Sequence, residues 1–212
     1  MATPYSTSIV KTTAIPGATP ILGQRRVACV GDSITFGAKL PSRDQNAYPV
    51  MLGRLLGNKY QVGNFGVPST TILSTRVPYQ KQTAFTQALE FKPSIVLVML
   101  GTNDSKSTFD FKLGGIFKQD YKSLIAAFKD VNPSVKVYLC LPIPSYPEAR
   151  DENVTLSTRI LPLIRQVATE TDSRVINLNT PFVNRLDLYT DVFHPNVAGA
   201  RLLATDIFND IT

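Results

Sequence analysis

The sequence predicts an α/β fold: a three-layer α/β/α sandwich in which a five-stranded parallel sheet lies between two layers of helices. Three observations carry this. From Arg25 to the C-terminus, short apolar runs alternate with longer stretches of helical periodicity, the pattern of parallel strands joined by crossover helices. The short runs are continuously apolar rather than alternating, which suits strands covered on both faces. The 212 residues, 43% hydrophobic and 18% charged, fill one domain better than two.

Residues 1–24, MATPYSTSIVKTTAIPGATPILGQ, are rich in Thr, Ser, Ala and Pro without periodicity. They are expected to form an extended lead-in with no helix, leaving 25–212 as the single domain. RRVACV (25–30) is the first predicted strand. YPVMLGRLLG (48–57) follows as a helix, with Pro49 in its first turn, where a missing N–H costs nothing, and Gly57 at its end. YQVGNF (60–65) is the second strand, and the helix predicted over 78–91 again opens on a proline. SIVLVML (94–100) is the third strand. The helix at 117–131 after it lines up Phe117, Tyr121, Leu124, Ile125 and Phe128 on one stripe. VKVYLCL (135–141) is the fourth strand, and Thr158–Thr171 is helical in pattern, with Pro162 either starting or kinking it. RVINL (174–178) is the fifth. The final helix is predicted to begin at Pro195 and to turn Val197, Leu202, Leu203, Ile207 and Phe208 toward a core.

Composition narrows the function classes. An excess of 22 Lys+Arg over 16 Asp+Glu gives a net charge of +6, but the basic residues are scattered, with Arg25-Arg26 the longest run. No basic stripe interleaved with aromatics appears, so a solvated surface is expected rather than a nucleic-acid interface. Cys29 and Cys140 both lie in apolar strand-like runs, where a free cysteine behaves as a small hydrophobe, and a disulfide is not favoured. With one histidine and two distant cysteines, a transition-metal site lacks ligands. No apolar run approaches the roughly 20 residues of a membrane span, and the N-terminus lacks the layout of a signal peptide. A soluble protein is expected, secreted or periplasmic if a leader precedes it.

Open parallel sheets bind ligands beyond the carboxyl ends of their strands, so the loops there are the ones to read. After the first strand comes GDSITFG (31–37), which places Ser33 at the start of a helical turn, where backbone N–H groups favour developing negative charge. Alone, Gly-Asp-Ser is also ordinary turn chemistry. After the second strand comes NFGVPSTT (64–71), with Gly66 allowing close backbone approach, and after the third comes GTND (101–104), with the Asn103 amide. Near the end, TDVFHPNVAG (190–199) holds the chain's one histidine, His194, three residues after Asp191. Serine-based acyl transfer needs a general base working near neutral pH and an acid to orient it, and this spacing places carboxylate and imidazole side by side.

These four segments, in this order, resemble the sequence blocks of the SGNH hydrolases, also called GDSL esterases. The resemblance runs from about Arg25 to the C-terminus and rests on GDS with Ser33, Gly66 in the second block, GxND with Gly101 and Asn103, and DxxH with Asp191 and His194. It implies a flavodoxin-like sheet, no cofactor and no metal. It also implies Ser33 as nucleophile, His194 as its base and Asp191 as the orienting acid. The oxyanion hole it implies is formed by the N–H of Ser33, the N–H of Gly66 and the amide of Asn103, with Asp32, Asn64 and Asp104 bracing the loops. One departure stands out: Ser69 occupies the position where many members carry a second glycine. The order Ser, Asp, His also fits α/β-hydrolases, but the G-x-S-x-G elbow they require is missing.

The stretches around these blocks look most similar to the sialate O-acetylesterase-like or carbohydrate acetylesterase-like branch, which implies an acetylated carbohydrate as substrate. A broad short-chain aryl or alkyl esterase, a lysophospholipase and a thioesterase are the alternatives within the chemistry. A non-catalytic carbohydrate-binding domain of the same fold is the alternative outside it, and it predicts a missing triad member. Tyr48, Tyr146 and Phe193 either pack or reach the site, where a ring could stack on a sugar or an acyl chain. The +6 charge is expected to help recruit acidic polysaccharides.

Overall fold

The computed structural model describes residues 23–106, 111–145 and 150–212. Nearly all of the lead-in, and Tyr146, lie outside the described residues. From Arg25 the chain forms five parallel strands: β1 (Arg25–Gly31), β2 (Tyr60–Gly66), β3 (Ile95–Met99), β4 (Lys136–Leu141) and β5 (Arg174–Asn177). Their order across the sheet is β2-β1-β3-β4-β5. Strand β1 is the pivot, pairing Cys29 with Asn64 of β2 on one side and with Leu97 of β3 on the other. The chain therefore reverses its direction of winding between β1 and β3, and at such a switch point the two flanking loops part to leave a crevice.

Eight α-helices cover the sheet among the described residues. The first three, α1 (Ser33–Phe36), α2 (Arg43–Asn46) and α3 (Tyr48–Leu56), join β1 to β2. Then come α4 (Thr83–Glu90), α5 (Phe111–Val131), α6 (Arg150–Thr155), α7 (Leu161–Glu170) and the terminal α8 (Val197–Ile211). Side chains alternate along each strand, so β1 sends Val27 and Cys29 into a core with Tyr48 and Leu52 of α3 and Leu203 and Ile207 of α8. It sends Ala28 and Val30 to the other face, where α5 and α7 contribute Phe117, Tyr121, Phe128, Ile164 and Val167. Both faces are dry, which is why the strands read as unbroken apolar runs.

The strands fall within a residue or two of their expected places, and the five α5 side chains expected on one stripe are all buried. Cys29 and Cys140 are free and buried. Three boundaries differ from expectation, each at a proline. Pro78 opens a short 3-10 turn, Tyr79–Lys81, and α4 proper begins only at Thr83. Pro162 sits in the first turn of α7, but the helical stretch begins earlier than expected: α6 runs through a widened π turn, Leu156–Ile160, into α7, and the wider turn accommodates a residue without an N–H. Pro195 is not in α8 at all. Asn196 is the cap, its side chain accepting the Gly199 N–H at 3.0 Å, and Pro195 instead bridges to Tyr189.

Candidate active site

Strand β1 delivers Ser33 to the crevice. Asp32 caps α1 by accepting the Ile34 N–H at 2.9 Å, and the single turn closes on Gly37 in the left-handed region, φ 88°. Ser33 is thus pinned as the first residue of a helical turn, partly exposed, and its N–H takes no partner among the described residues. Asp32 beneath it is buried, and its Oδ2 has no hydrogen-bond partner among the described residues. Burial pushes its carboxyl up to about 6, against which the Ile34 N–H and, more weakly, the Lys106 charge act.

The loop before α8 delivers the base. Its ends are tied by the Tyr189–Pro195 bridge, by Thr190 N–H to His194 O at 2.8 Å and by Asn196 N–H to Leu188 O at 2.8 Å. Inside it, Asp191 Oδ1 accepts the N–H groups of Phe193 at 2.9 Å and His194 at 2.8 Å. The His194 Nδ1 lies 2.9 Å from both Asp191 oxygens, and its Nε2 lies 2.9 Å from Ser33 Oγ. A carboxylate can only accept, so it draws the imidazole proton to Nδ1 and leaves Nε2 as acceptor for the Ser33 hydroxyl. Partial burial works against the charge on Asp191, but the two N–H groups and the imidazole outweigh it and hold the carboxyl below its ordinary range. Three residues separated by up to 161 positions are joined in one hydrogen-bonded line.

The other two loops are joined directly to each other. Val67-Pro68-Ser69-Thr70 has the layout of a type II turn: proline second, a residue with positive φ third, and the Thr70 N–H returning to Val67 O at 3.4 Å. That third residue is Ser69, with φ 65°, so the chain takes here the path that a glycine would take more easily. The N–H of Ser69 has no partner among the described residues. Asn103 Nδ2 donates one hydrogen to Thr70 O at 2.9 Å, which orients the amide and leaves its second hydrogen without a partner among the described residues. Its neighbour Asp104 is buried and clamps the following loop, accepting the N–H groups of Leu73 at 3.0 Å and Ile72 at 3.1 Å. Burial raises its carboxyl to about 6 despite those bonds and the charge of Arg76. Arg76 in turn donates to the Asp104 carbonyl at 2.6 Å. Gly101 turns at φ 126°, a conformation reserved for glycine, and a Cβ there would meet Ile160 of the π turn at 2.8 Å.

One expectation changes and one open alternative closes. Gly66 does not offer its N–H to the crevice: it donates to Asn64 Oδ1 at 3.0 Å, and a Cβ at Gly66 would stand 2.2 Å from Phe36 N. The glycine is required because β2 runs against the backbone of α1. Of the two alternatives for Tyr48, the structure shows packing. It is fully buried under α1, with its hydroxyl 3.1 Å from Thr35 Oγ1. Phe193 is half-buried beside His194, and its ring carries the Lys106 ammonium 4.0 Å from its centroid. Lys106 did not stand out in sequence, because a lysine in a polar loop carries no distinguishing pattern, whereas Ser69 stood out only as a departure from a second glycine.

Residues 29–202 match the model of the GDSL-like lipase/acylhydrolase family. An acetylxylan esterase of Xylanibacter ruminicola is 34% identical over 199 residues, covering 84% of the chain, while the chain spans only 41% of that relative. Among solved structures, an acetylxylan esterase from Geobacillus stearothermophilus superposes with a TM-score of 0.68 at 21% identity, over 91% of this chain and 96% of the other. A carbohydrate acetylesterase from Sinorhizobium meliloti gives 0.65 at 18% identity over 89% and 98%. An aryl esterase from M. smegmatis gives 0.66 at 16% identity over 88% and 98%. The family match spans most of the chain, whose five-stranded parallel sheet fits the fold of the solved neighbours: the chain belongs to the GDSL-like lipase/acylhydrolase family.

Proposed function

We propose that the protein is a serine esterase that removes small acyl groups, chiefly O-acetyl groups, from carbohydrate. The observation that carries the reading is the line Asp191–His194–Ser33, with 2.9 Å at each link. In this reading the Ser33 hydroxyl gives its proton to His194 Nε2 as Oγ attacks the ester carbonyl carbon, and the imidazolium that forms is stabilised by Asp191, which stays ionised. The carbonyl oxygen becomes an oxyanion, held by the Ser33 N–H, the free hydrogen of the Asn103 amide and the Ser69 N–H. Ser69 takes the place expected of Gly66, whose N–H is spent on Asn64. The tetrahedral species collapses, the C–O bond to the sugar breaks, and His194 returns its proton to the departing hydroxyl. Water then enters, gives a proton to His194 and cleaves the acetyl-serine by the same route in reverse.

The carbohydrate part of the reading draws on the 34% identity to an acetylxylan esterase. It is tested by measuring acetate release from acetylated xylo-oligosaccharides beside p-nitrophenyl esters of rising chain length. Acetate release from the glycan, with aryl-ester turnover falling beyond short chains, is the expected result. Turnover that rises with chain length, with no acetate from any glycan, would place the protein among lipid or thioester hydrolases instead.

A further inference from the structure

Lys106 follows Asn103 by three residues, yet its side chain does not join that loop's internal bonds. It crosses to the loop of the base and lays its ammonium over the face of Phe193, 4.0 Å from the ring centroid. Phe193 stands between Asp191 and His194, so the charge is held at the edge of the triad rather than at the end of a free stem. A lysine stem ordinarily keeps much of its rotamer freedom, and an aromatic face removes part of it before any ligand arrives.

The charge has no acid partner among the described residues. Of the acids around it, only Asp32 feels its charge, weakly and without a salt bridge. Asp191 is bound to the His194 ring and to two backbone N–H groups. Asp104 is bound to Ile72 and Leu73, and Asp32 is buried beneath Ser33. Lys106 itself is exposed. The structure thus presents an exposed cation placed beside the triad, with no salt bridge among the described residues, next to a half-buried aromatic ring.

We propose that Lys106, held on Phe193, is a specificity-determining residue that binds the carboxylate of an acidic sugar neighbouring the acetylated one. The inference rests on the reading of Ser33 as the nucleophile of a carbohydrate deacetylase. It narrows the substrate to acetylated glycans that carry a sugar carboxylate, and it localises to one side chain part of the attraction expected from the +6 net charge.

The test compares wild type, Lys106→Met and Lys106→Arg in two ways. The first is the ratio of KM for a neutral acetylated xylo-oligosaccharide to KM for one bearing a uronic acid. The second is competitive inhibition of p-nitrophenyl acetate hydrolysis by free glucuronate and by N-acetylneuraminate, each against a neutral sugar, which separates the two sources of carboxylate. Wild type is expected to favour the acidic ligand about fivefold, the scale of one partly exposed ion pair, with the preference fading as salt is raised. Lys106→Met is expected to bring the ratio close to one, and Lys106→Arg to keep it. A wild-type ratio near one, or a preference that survives in Lys106→Met, overturns the proposal, as does loss of the preference in Lys106→Arg together with Lys106→Met, since that would make the lysine a packing residue. If wild type turns over the aryl ester but no glycan, the reading of Ser33 as a carbohydrate deacetylase has failed, and the inhibition ratio then shows separately whether Lys106 binds carboxylates.

Discussion

At the scale of single residues, two glycine-type positions in one loop divide packing from chemistry. Gly66 is needed because β2 presses on α1, so Gly66→Ala puts a Cβ 2.2 Å from a backbone nitrogen and should cost about 1–3 kcal/mol of stability, read from urea unfolding. Ser69 sits strained at φ 65°, so Ser69→Gly should keep turnover and raise stability by up to about 1 kcal/mol. A large loss of turnover in Ser69→Gly would instead assign the chemistry to its hydroxyl. Asn103→Ala should lower kcat by about 10²- to 10³-fold on p-nitrophenyl acetate with little change in KM, the signature of a donor that acts on the transition state. Ser33, Asn103, Asp191 and His194 were legible in sequence because each sits in a short block of fixed spacing. The assignment of Gly66 was not, because a glycine needed for close packing and one needed to bare an N–H look the same in sequence. The hydrogen bond from Gly66 to Asn64 separates the two cases, and only the folded backbone shows it.

At the scale of elements, the loops that carry the site are held by buried acids rather than by helices. Asp104 ties the loop after β3 to the loop after β2, and the same two loops carry Asn103 and Ser69. Because burial raises the Asp104 carboxyl to about 6, the folded protein keeps this proton over a range in which the unfolded chain, at its ordinary value near 3.8, has released it. The folded state therefore binds more protons between about pH 4 and 6, and this group makes stability fall as pH rises through that window. Asp191, held below its ordinary range, acts in the opposite sense: its contribution is present above the unfolded value and is lost as pH falls through the folded one. Asp104→Asn removes the first effect. Its stability deficit relative to wild type should shrink from pH 4 to pH 6, by up to about 3 kcal/mol, in urea midpoints measured across that range. A deficit that grows with pH would contradict the assignment. The strands and α5 were legible because burial on both faces writes an unbroken apolar run and burial on one face writes a helical stripe. The π turn before α7 and the cap at Asn196 were not, since a proline in sequence marks a boundary without saying which side of it the helix begins.

At the scale of the whole molecule, the order β2-β1-β3-β4-β5 does the positioning. By reversing direction between β1 and β3 it opens the sheet where Ser33 leaves β1 and Asn103 leaves β3, and it brings the loop before α8 over the same point. The fold class followed from alternation and apolar runs, but the meeting of residues 33 and 194 follows only from the strand order, which no local pattern states. The central claim is that Ser33, driven by His194, attacks the ester. The most direct measurement is the rate of p-nitrophenyl acetate hydrolysis by Ser33→Ala against wild type, with far-UV circular dichroism confirming an unchanged fold. The rate should fall at least ~10⁴-fold. A folded Ser33→Ala protein that hydrolyses the ester at the wild-type rate would contradict the account.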